Sequence, residues 1–173
     1  MDFQLVGENT LKIKIKKTTL ALDPKSSVTK FDADAILILD KDFDASRING
    51  SRIIINGVGE YEVSGLKISA LKAEDDLLYE LSLDTTSILV AKASSLEKIS
   101  SDKLGDYMVA LINVDSDLNQ SKVTTIEPRL VILYGEKAKE GAKVLGKDDA
   151  PKSSKISISE DKLPEELEIM LLG

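Results

Sequence analysis

Apolar and polar residues alternate along much of the chain, and this alternation predicts a series of short β-strands. In LKIKIKK (11–17), leucine and isoleucine alternate with lysine, which is the period of a strand with one buried face. Further runs of this kind follow, separated by glycine, asparagine, aspartate or serine, which favour turns. Two segments, YMVALINV (107–114) and RLVILY (129–134), are almost continuously apolar, as in strands that are covered on both faces.

Helical spacing is limited to two stretches in the second half of the chain. SSLEKISSDKLG (94–105) spaces its apolar residues roughly helically, and EKAKEGAKVLG (136–146) is rich in alanine, lysine and glutamate. No repeat or linker divides the 173 residues, so we expect one domain over 1–173. Many strands with few helices predict an α/β (α+β) fold, in which two mixed β-sheets form a sandwich with short helices on its outer faces.

The composition excludes several kinds of chemistry, because the chain contains neither cysteine nor histidine. Disulfides, thiolate nucleophiles and zinc–sulfur sites require cysteine. Imidazole acid–base catalysis, the serine triad and the usual zinc hydrolase site require histidine. Any metal ion would therefore have to be a hard ion that prefers oxygen ligands, such as Mg²⁺, Mn²⁺ or Ca²⁺.

The charge and hydropathy patterns favour a cytoplasmic protein that binds neither nucleic acid nor membranes. The net charge is −7 and is spread along the chain, whereas nucleic acids and anionic membranes attract basic surfaces. No apolar run approaches the roughly 20 residues of a membrane-spanning helix. The N-terminal residues also lack the basic-then-apolar pattern of a signal peptide.

The strongest candidate for chemistry is a set of three aspartates that follows the apolar stretch AILIL (35–39). Asp40, Asp42 and Asp44 occupy alternate positions there. They could be ligands of a hard metal ion, since such ions take carboxylate oxygens. Aspartates at the end of a strand also accept hydrogen bonds from backbone donors in turns, which is a purely structural role. A third possibility is that they mark a site that once held a metal.

Three segments resemble, in order and spacing, those of small proteins in the metallo-β-lactamase-fold hydrolase superfamily. They are LVGENTLKIKIKKTTLALDP (5–24), NGVGEYEVSGLKI (56–68) and IEPRLVILYG (126–135). The resemblance implies the metallo-β-lactamase-like sandwich over nearly the whole chain, and it thins between about residues 95 and 125.

The resemblance also locates the metal ligands of that superfamily, most of which this chain lacks. The HxHxDH motif falls on the aspartates, with Asp40 and Asp42 at the first two histidines and Asp44 at the aspartate. The remaining ligand positions carry Ala45, Val90, Ala93, Gly135 (Tyr134 if the register shifts by one) and, where relatives have a histidine after glycine, Glu8. Hydrolysis in this superfamily needs a water molecule on a metal ion that such ligands hold. The resemblance therefore implies that this chain has lost the hydrolytic activity.

Two interpretations follow for a remnant pocket that consists of Glu8, Asp23, Asp40, Asp42, Asp44, Lys92, Tyr134 and Gly135. The favoured one is an inactive member without metal or other cofactor, which binds a protein partner or associates with itself. Lys41, Arg47 or, in the loop of the lost bridging ligand, Lys92 would then replace the charge of the metal. The alternative is a hydrolase of phosphoesters or similar bonds, in which Asp40, Asp42 and Asp44 hold Mg²⁺, Mn²⁺ or Ca²⁺.

Overall fold

The computed structural model describes residues 1–173 and consists mainly of β-strands with three short α-helices. The strands are β1 (Asp2–Gly7), β2 (Thr10–Ile15), β3 (Thr18–Leu22), β4 (Phe31–Asp32), β5 (Ala35–Leu37), β6 (Ile48–Asn49), β7 (Ile53–Ile55), β8 (Gly59–Val63), β9 (Leu66–Ala73), β10 (Asp76–Leu83), β11 (Thr86–Lys92), β12 (Val109–Asn113), β13 (Leu130–Tyr134), β14 (Lys152–Ser153), β15 (Lys155–Ser157) and β16 (Glu168–Leu172). The helices are α1 (Ala93–Lys98), α2 (Gln120–Thr125) and α3 (Ala138–Val144).

Two mixed sheets pack face to face, as the strand pattern predicted. The first sheet has the order β15-β1-β2-β3-β5-β7 and the second β14-β16-β13-β12-β11-β10-β9-β8. The first is antiparallel from β15 to β3 and parallel from β3 to β7. The second is antiparallel from β8 to β11 and parallel from β11 to β14. Strands β4 and β6 pair separately, and with neighbouring loops they cover part of the outer face of the first sheet.

Burial follows the periodicity of the sequence. In β2, Leu11, Ile13 and Ile15 lie in the core between the sheets, while Lys14 is exposed on the other face. All five residues of β12 and all five of β13 are buried. These two strands are apolar on both faces because the second sheet lies between the inter-sheet core and the helices.

All three helices contribute to the apolar cluster on the outer face of the second sheet. The stretch 94–105 forms only α1 and a 3₁₀ turn, Ser101–Lys103, whereas 136–146 forms α3 as expected. The pattern did not predict α2, which buries Val123 and is capped by the side chain of Asn119. No helix is both long and apolar enough to cross a membrane.

The candidate residues lie where several parallel strands end together. Strands β11, β12 and β13 are in register, with Lys92 paired to Asn113 and Asn113 paired to Tyr134. Side chains in register on neighbouring strands project from the same face, so these three form a row on the face of the core. The chain that leaves β3 and β5 reaches the same edge, bringing Asp23 and Asp40 to it.

Candidate functional site

Asp23 is a buried carboxylate that ties together the segments following β3 and β5. Only 1% of the residue is exposed. Its Oδ1 accepts hydrogen bonds from the backbone N–H groups of Leu39 at 2.7 Å and Asp40 at 2.9 Å. Burial raises the pKa of Asp23 to about 6, although these two hydrogen bonds act in the opposite direction. From this buried position, Asp23 therefore holds the backbone at Leu39 and Asp40 in place.

Lys25 supplies the positive charge beside the aspartates. Its Nζ donates hydrogen bonds to Asp40 Oδ2 at 2.9 Å, to the carbonyl oxygen of Asp42 at 2.5 Å and to Asp42 Oδ2 at 3.3 Å. The side chain is only 12% exposed. Burial lowers the pKa of Lys25, but its hydrogen bonds to the two aspartates outweigh this effect and the net pKa is raised. Thr10 fixes the turn, since its hydroxyl donates to the carbonyl oxygen of Asp23 and accepts from the N–H of Lys25.

Asp44 does not join the other two aspartates. Its Oδ1 accepts a hydrogen bond from the N–H of Ser46 at 3.0 Å, which caps a 3₁₀ turn, Ala45–Arg47. Its Oδ2 lies 3.4 Å from Arg47 Nε. Nowhere in the chain do three or more carboxylates come close enough to hold a metal ion. The residues present therefore do not fit the metal centre that the resemblance would place here.

Lys92 balances a second set of carboxylates at the end of β11. Its Nζ lies 3.4 Å from Asp76 Oδ1 and 4.0 Å from Asp115 Oδ2. Asp115 also accepts hydrogen bonds from the backbone N–H and the hydroxyl of Ser94. Lys92 was one of three residues predicted to replace the charge of the metal; its charge acts on Asp40 from a distance, whereas the ammonium that contacts Asp40 is that of Lys25. Lys41 and Arg47, the other two, form no ion pair with Asp40 either.

The end of β13 has little room for a side chain at position 135. Gly135 has a φ of +95°, a conformation that favours glycine. A Cβ on Gly135 would overlap Asn113 Oδ1, so a larger residue here requires the Asn113 side chain to move. The preceding residue, Tyr134, is fully buried, and its hydroxyl lies beside the Asn113 side chain without a well-formed hydrogen bond. Burial raises the pKa of Tyr134 well above its ordinary value.

The remaining candidates lie along two clefts. Glu8 is exposed, accepts a hydrogen bond from the Ser27 hydroxyl at 2.6 Å and lines a cleft of about 630 Å³ with Gly135. Asp40 and Lys92 line a second cleft of about 440 Å³. The lining of the second cleft combines apolar and charged residues, namely Ile38, Leu39, Phe43 and Leu77 with Asp40, Lys41, Asp75, Asp76 and Lys92, together with Asn56.

Sequence reasoning missed four residues of this region: Lys25, Asp76, Asn113 and Asp115. Lys25 follows the Asp-Pro pair at the end of β3, and β3 lies beside β5, whose following loop carries Asp40. Knowing that β3 and β5 are neighbours would therefore have placed Lys25 close to Asp40. The contacts of Asp76 and Asp115 depend on loop positions that no periodicity encodes.

Comparison with known proteins identifies the fold. No protein-family model and no curated protein sequence matches the chain. A solved Zn-dependent hydrolase of the metallo-β-lactamase superfamily from Thermotoga maritima superimposes with a TM-score of 0.77, covering 99% of this chain and 97% of that one, at 14% identity.

The chain has the metallo-β-lactamase fold. Two further structures agree with this result. The metallo-β-lactamase-fold protein YhfI from Bacillus subtilis has a TM-score of 0.57 at 8% identity, with coverages of 98% and 95%. An isothiocyanate hydrolase from Delia radicum gut bacteria has a TM-score of 0.56 at 9% identity, with coverages of 92% and 99%. The fold implied by the three sequence segments is confirmed; at these identities the likeness concerns the fold alone.

Proposed function

We propose that this protein is a catalytically inactive, metal-free version of the metallo-β-lactamase fold that acts by binding a protein partner or another copy of itself. The observation that supports it best is the position of Lys25. Its ammonium group contacts Asp40 and Asp42, the residues that the sequence resemblance aligns with the first two histidine ligands of the metal motif. A fixed cation here takes the place of a bound metal.

Electrostatics explains why Lys25 and a metal ion would compete. Two like unit charges 4 Å apart repel by about 4 kcal/mol at the effective dielectric constant near a protein surface, and a divalent ion doubles this repulsion. Lys25 would have to leave its hydrogen bonds with Asp40 and Asp42 before these carboxylates could bind a metal. Because its side chain is mostly buried, that movement would also rearrange the surrounding turn.

The alternative is a hydrolase that uses Mg²⁺, Mn²⁺ or Ca²⁺ held by Asp40, Asp42 and Asp44. Such ions take six or more oxygen ligands in a converging arrangement. Here Asp44 caps a turn instead, and Lys25 contacts the other two carboxylates. The geometry therefore gives the hydrolase less support than the binding role.

Metal content tests the proposal directly. The purified protein is dialysed against Mg²⁺, Mn²⁺, Zn²⁺ and Ca²⁺, then against ion-free buffer, and its metals are measured by plasma mass spectrometry. We expect far less than one ion per chain. Lys25→Met, which removes the competing ammonium, should bind divalent ions more tightly than the wild type. Lys155→Met, which removes an ammonium that pairs with Asp2 instead, should leave metal content unchanged.

Two results would contradict the proposal. Near-stoichiometric metal in the wild type would show that Lys25 does not exclude an ion. Metal-dependent phosphoester hydrolysis that is lost in both Asp40→Asn and Asp42→Asn would establish the hydrolase instead.

A further inference from the structure

Two asparagines of this chain are each followed by glycine, the dipeptide most prone to spontaneous deamidation. They are Asn49, before Gly50, and Asn56, before Gly57. In this reaction the backbone nitrogen of the following residue attacks the side-chain amide carbon of the asparagine. Glycine speeds the attack because it has no side chain to obstruct it and because its backbone rotates freely. The dipeptides alone do not distinguish the two asparagines, whereas their surroundings do.

The pairing of β6 with β4 restrains Asn49. This residue ends β6 and is paired with Asp32 of β4. Its carbonyl oxygen accepts a hydrogen bond from the N–H of Ala33 at 3.1 Å. To bring the nitrogen of Gly50 against the side-chain amide, the backbone of Asn49 must rotate out of its extended conformation. That rotation opens the pairing, so Asn49 is protected in the folded protein.

Asn56 has no comparable restraint. It is exposed and follows β7, the end strand of the first sheet, in the connection 56–58 to β8. No backbone hydrogen bond involves Asn56 or the N–H of Gly57. The backbone can therefore rotate about Asn56, and the attacking nitrogen is free to approach, without the loss of any such bond.

We propose that Asn56 is a spontaneous modification site of the folded protein, which converts to aspartate and isoaspartate with loss of ammonia. The deprotonated nitrogen of Gly57 forms a bond to Cγ of Asn56, and the side-chain amide nitrogen leaves as ammonia. One water molecule then opens the resulting cyclic imide. Opening at the former side-chain carbonyl gives aspartate. Opening at the main-chain carbonyl gives isoaspartate, in which the main chain runs through Cβ and Cγ and is one atom longer.

Both products alter the second cleft, which Asn56 lines. Each adds a carboxylate to a lining that already has three carboxylates and two ammonium groups. Isoaspartate also lengthens the connection 56–58. The residue before it, Ile55, is fully buried, and its carbonyl oxygen accepts hydrogen bonds from the N–H of Ile38 and the hydroxyl of Tyr79. The charge and the backbone of this cleft therefore change as the protein ages.

Peptide mapping by mass spectrometry follows both asparagines in one sample. The folded protein is incubated for several weeks at mildly alkaline pH, which favours loss of the amide proton, and a parallel sample is incubated in guanidinium chloride. Fragmentation by electron transfer distinguishes isoaspartate from aspartate. In the folded protein, Asn56 should react about tenfold faster than Asn49, because the β4–β6 hydrogen bonds must open before Asn49 can react. In guanidinium chloride the two rates should be similar, because neither residue is restrained.

Two matched variants assign the product to its position. Ion-exchange chromatography of the aged wild type should show an accumulating, more acidic species, which Asn56→Gln should lack and Asn49→Gln should retain. Equal rates at the two asparagines in the folded protein would overturn the inference. So would an Asn56 that stays intact in the folded protein while it reacts in guanidinium chloride. Neither result depends on metal content or on a binding partner, so each is separate from the test of the proposed function.

Discussion

Two buried tyrosines differ in one respect that makes a controlled experiment possible. Tyr79 and Tyr134 are both 0% exposed. The hydroxyl oxygen of Tyr79 lies 2.7 Å from the carbonyl oxygens of Ile38 and Ile55 and accepts a hydrogen bond from the N–H of Ile38 at 3.0 Å. It thereby joins the second sheet to the ends of β5 and β7. The hydroxyl of Tyr134 makes no well-formed hydrogen bond, and the polar side chain beside it is that of Asn113.

Removing each hydroxyl should therefore have a different effect on the free energy of unfolding. Tyr79→Phe keeps the ring but removes the hydroxyl proton shared by the carbonyl groups of Ile38 and Ile55, of which Ile55 still accepts from the N–H of Ile38. The N–H of Ile38 keeps a second acceptor, the carbonyl oxygen of Ile55 at 3.2 Å. The loss of a buried hydrogen bond with an acceptor left unsatisfied should cost about 2 kcal/mol. Tyr134→Phe removes a hydroxyl that makes no well-formed hydrogen bond, so its effect should lie between about zero and a gain of 1 kcal/mol.

Urea unfolding followed by far-ultraviolet circular dichroism measures both variants under the same conditions. The midpoint of Tyr79→Phe should fall while its m-value stays that of the wild type, because a change in stability alone shifts only the midpoint. The midpoint of Tyr134→Phe should stay the same or rise. If Tyr134→Phe cost as much as Tyr79→Phe, the Tyr134 hydroxyl would have a partner in solution and the reasoning would be refuted.

Three further predictions concern the remnant pocket. Burial raises the folded-state pKa of Asp23 from 3.8 to about 6, so its proton favours folding below pH 4 and this contribution disappears as the pH rises through 6. Urea titrations at a series of pH values between 4 and 6 measure the free energy of unfolding. Asp23 should lower that of the wild type by up to about 3 kcal/mol over this range, and Asp23→Asn should lack this decrease. Gly135→Ala should cost about 1–3 kcal/mol because of its positive φ and its overlap with Asn113, and Asn113→Ala should restore only the part due to overlap. Thermal melts should show Lys25→Met destabilised at pH 7 and less so as the pH falls, because protonation of Asp40 removes the charge that Lys25 no longer balances.

The sequence predicted the strands and the fold because burial in a sheet follows a local period. The alternation in 11–17 placed Leu11, Ile13 and Ile15 in the core without knowledge of any partner strand. The helix α2 escaped prediction because QSKVTT has little apolar content. Its one buried residue, Val123, gains its stabilisation from packing against the second sheet, which no local pattern reports.

The site was less predictable, because its contacts join residues that are distant in the sequence. Asp40 and Asp42 could be located from the strand that precedes them, but their partner Lys25 reaches them only because β3 and β5 are neighbours. The obstruction of Gly135 by Asn113 likewise depends on the register of β12 and β13. The three cations predicted from the sequence, Lys41, Arg47 and Lys92, all lie near the motif positions along the chain, whereas Lys25 follows a different strand.

The segment 152–157 has a consequence for how the protein folds. β15 pairs with β1, so that Ile156 lies beside Phe3, while β14 pairs with β16. Strand pairings between such distant residues must overcome a large loop-closure entropy before their contacts form, which slows folding. During synthesis, the outer edge of β1 must wait, unpaired, for nearly the whole chain to emerge. We therefore expect the nascent chain to need protection from aggregation until β14 and β15 pair with the edges of both sheets.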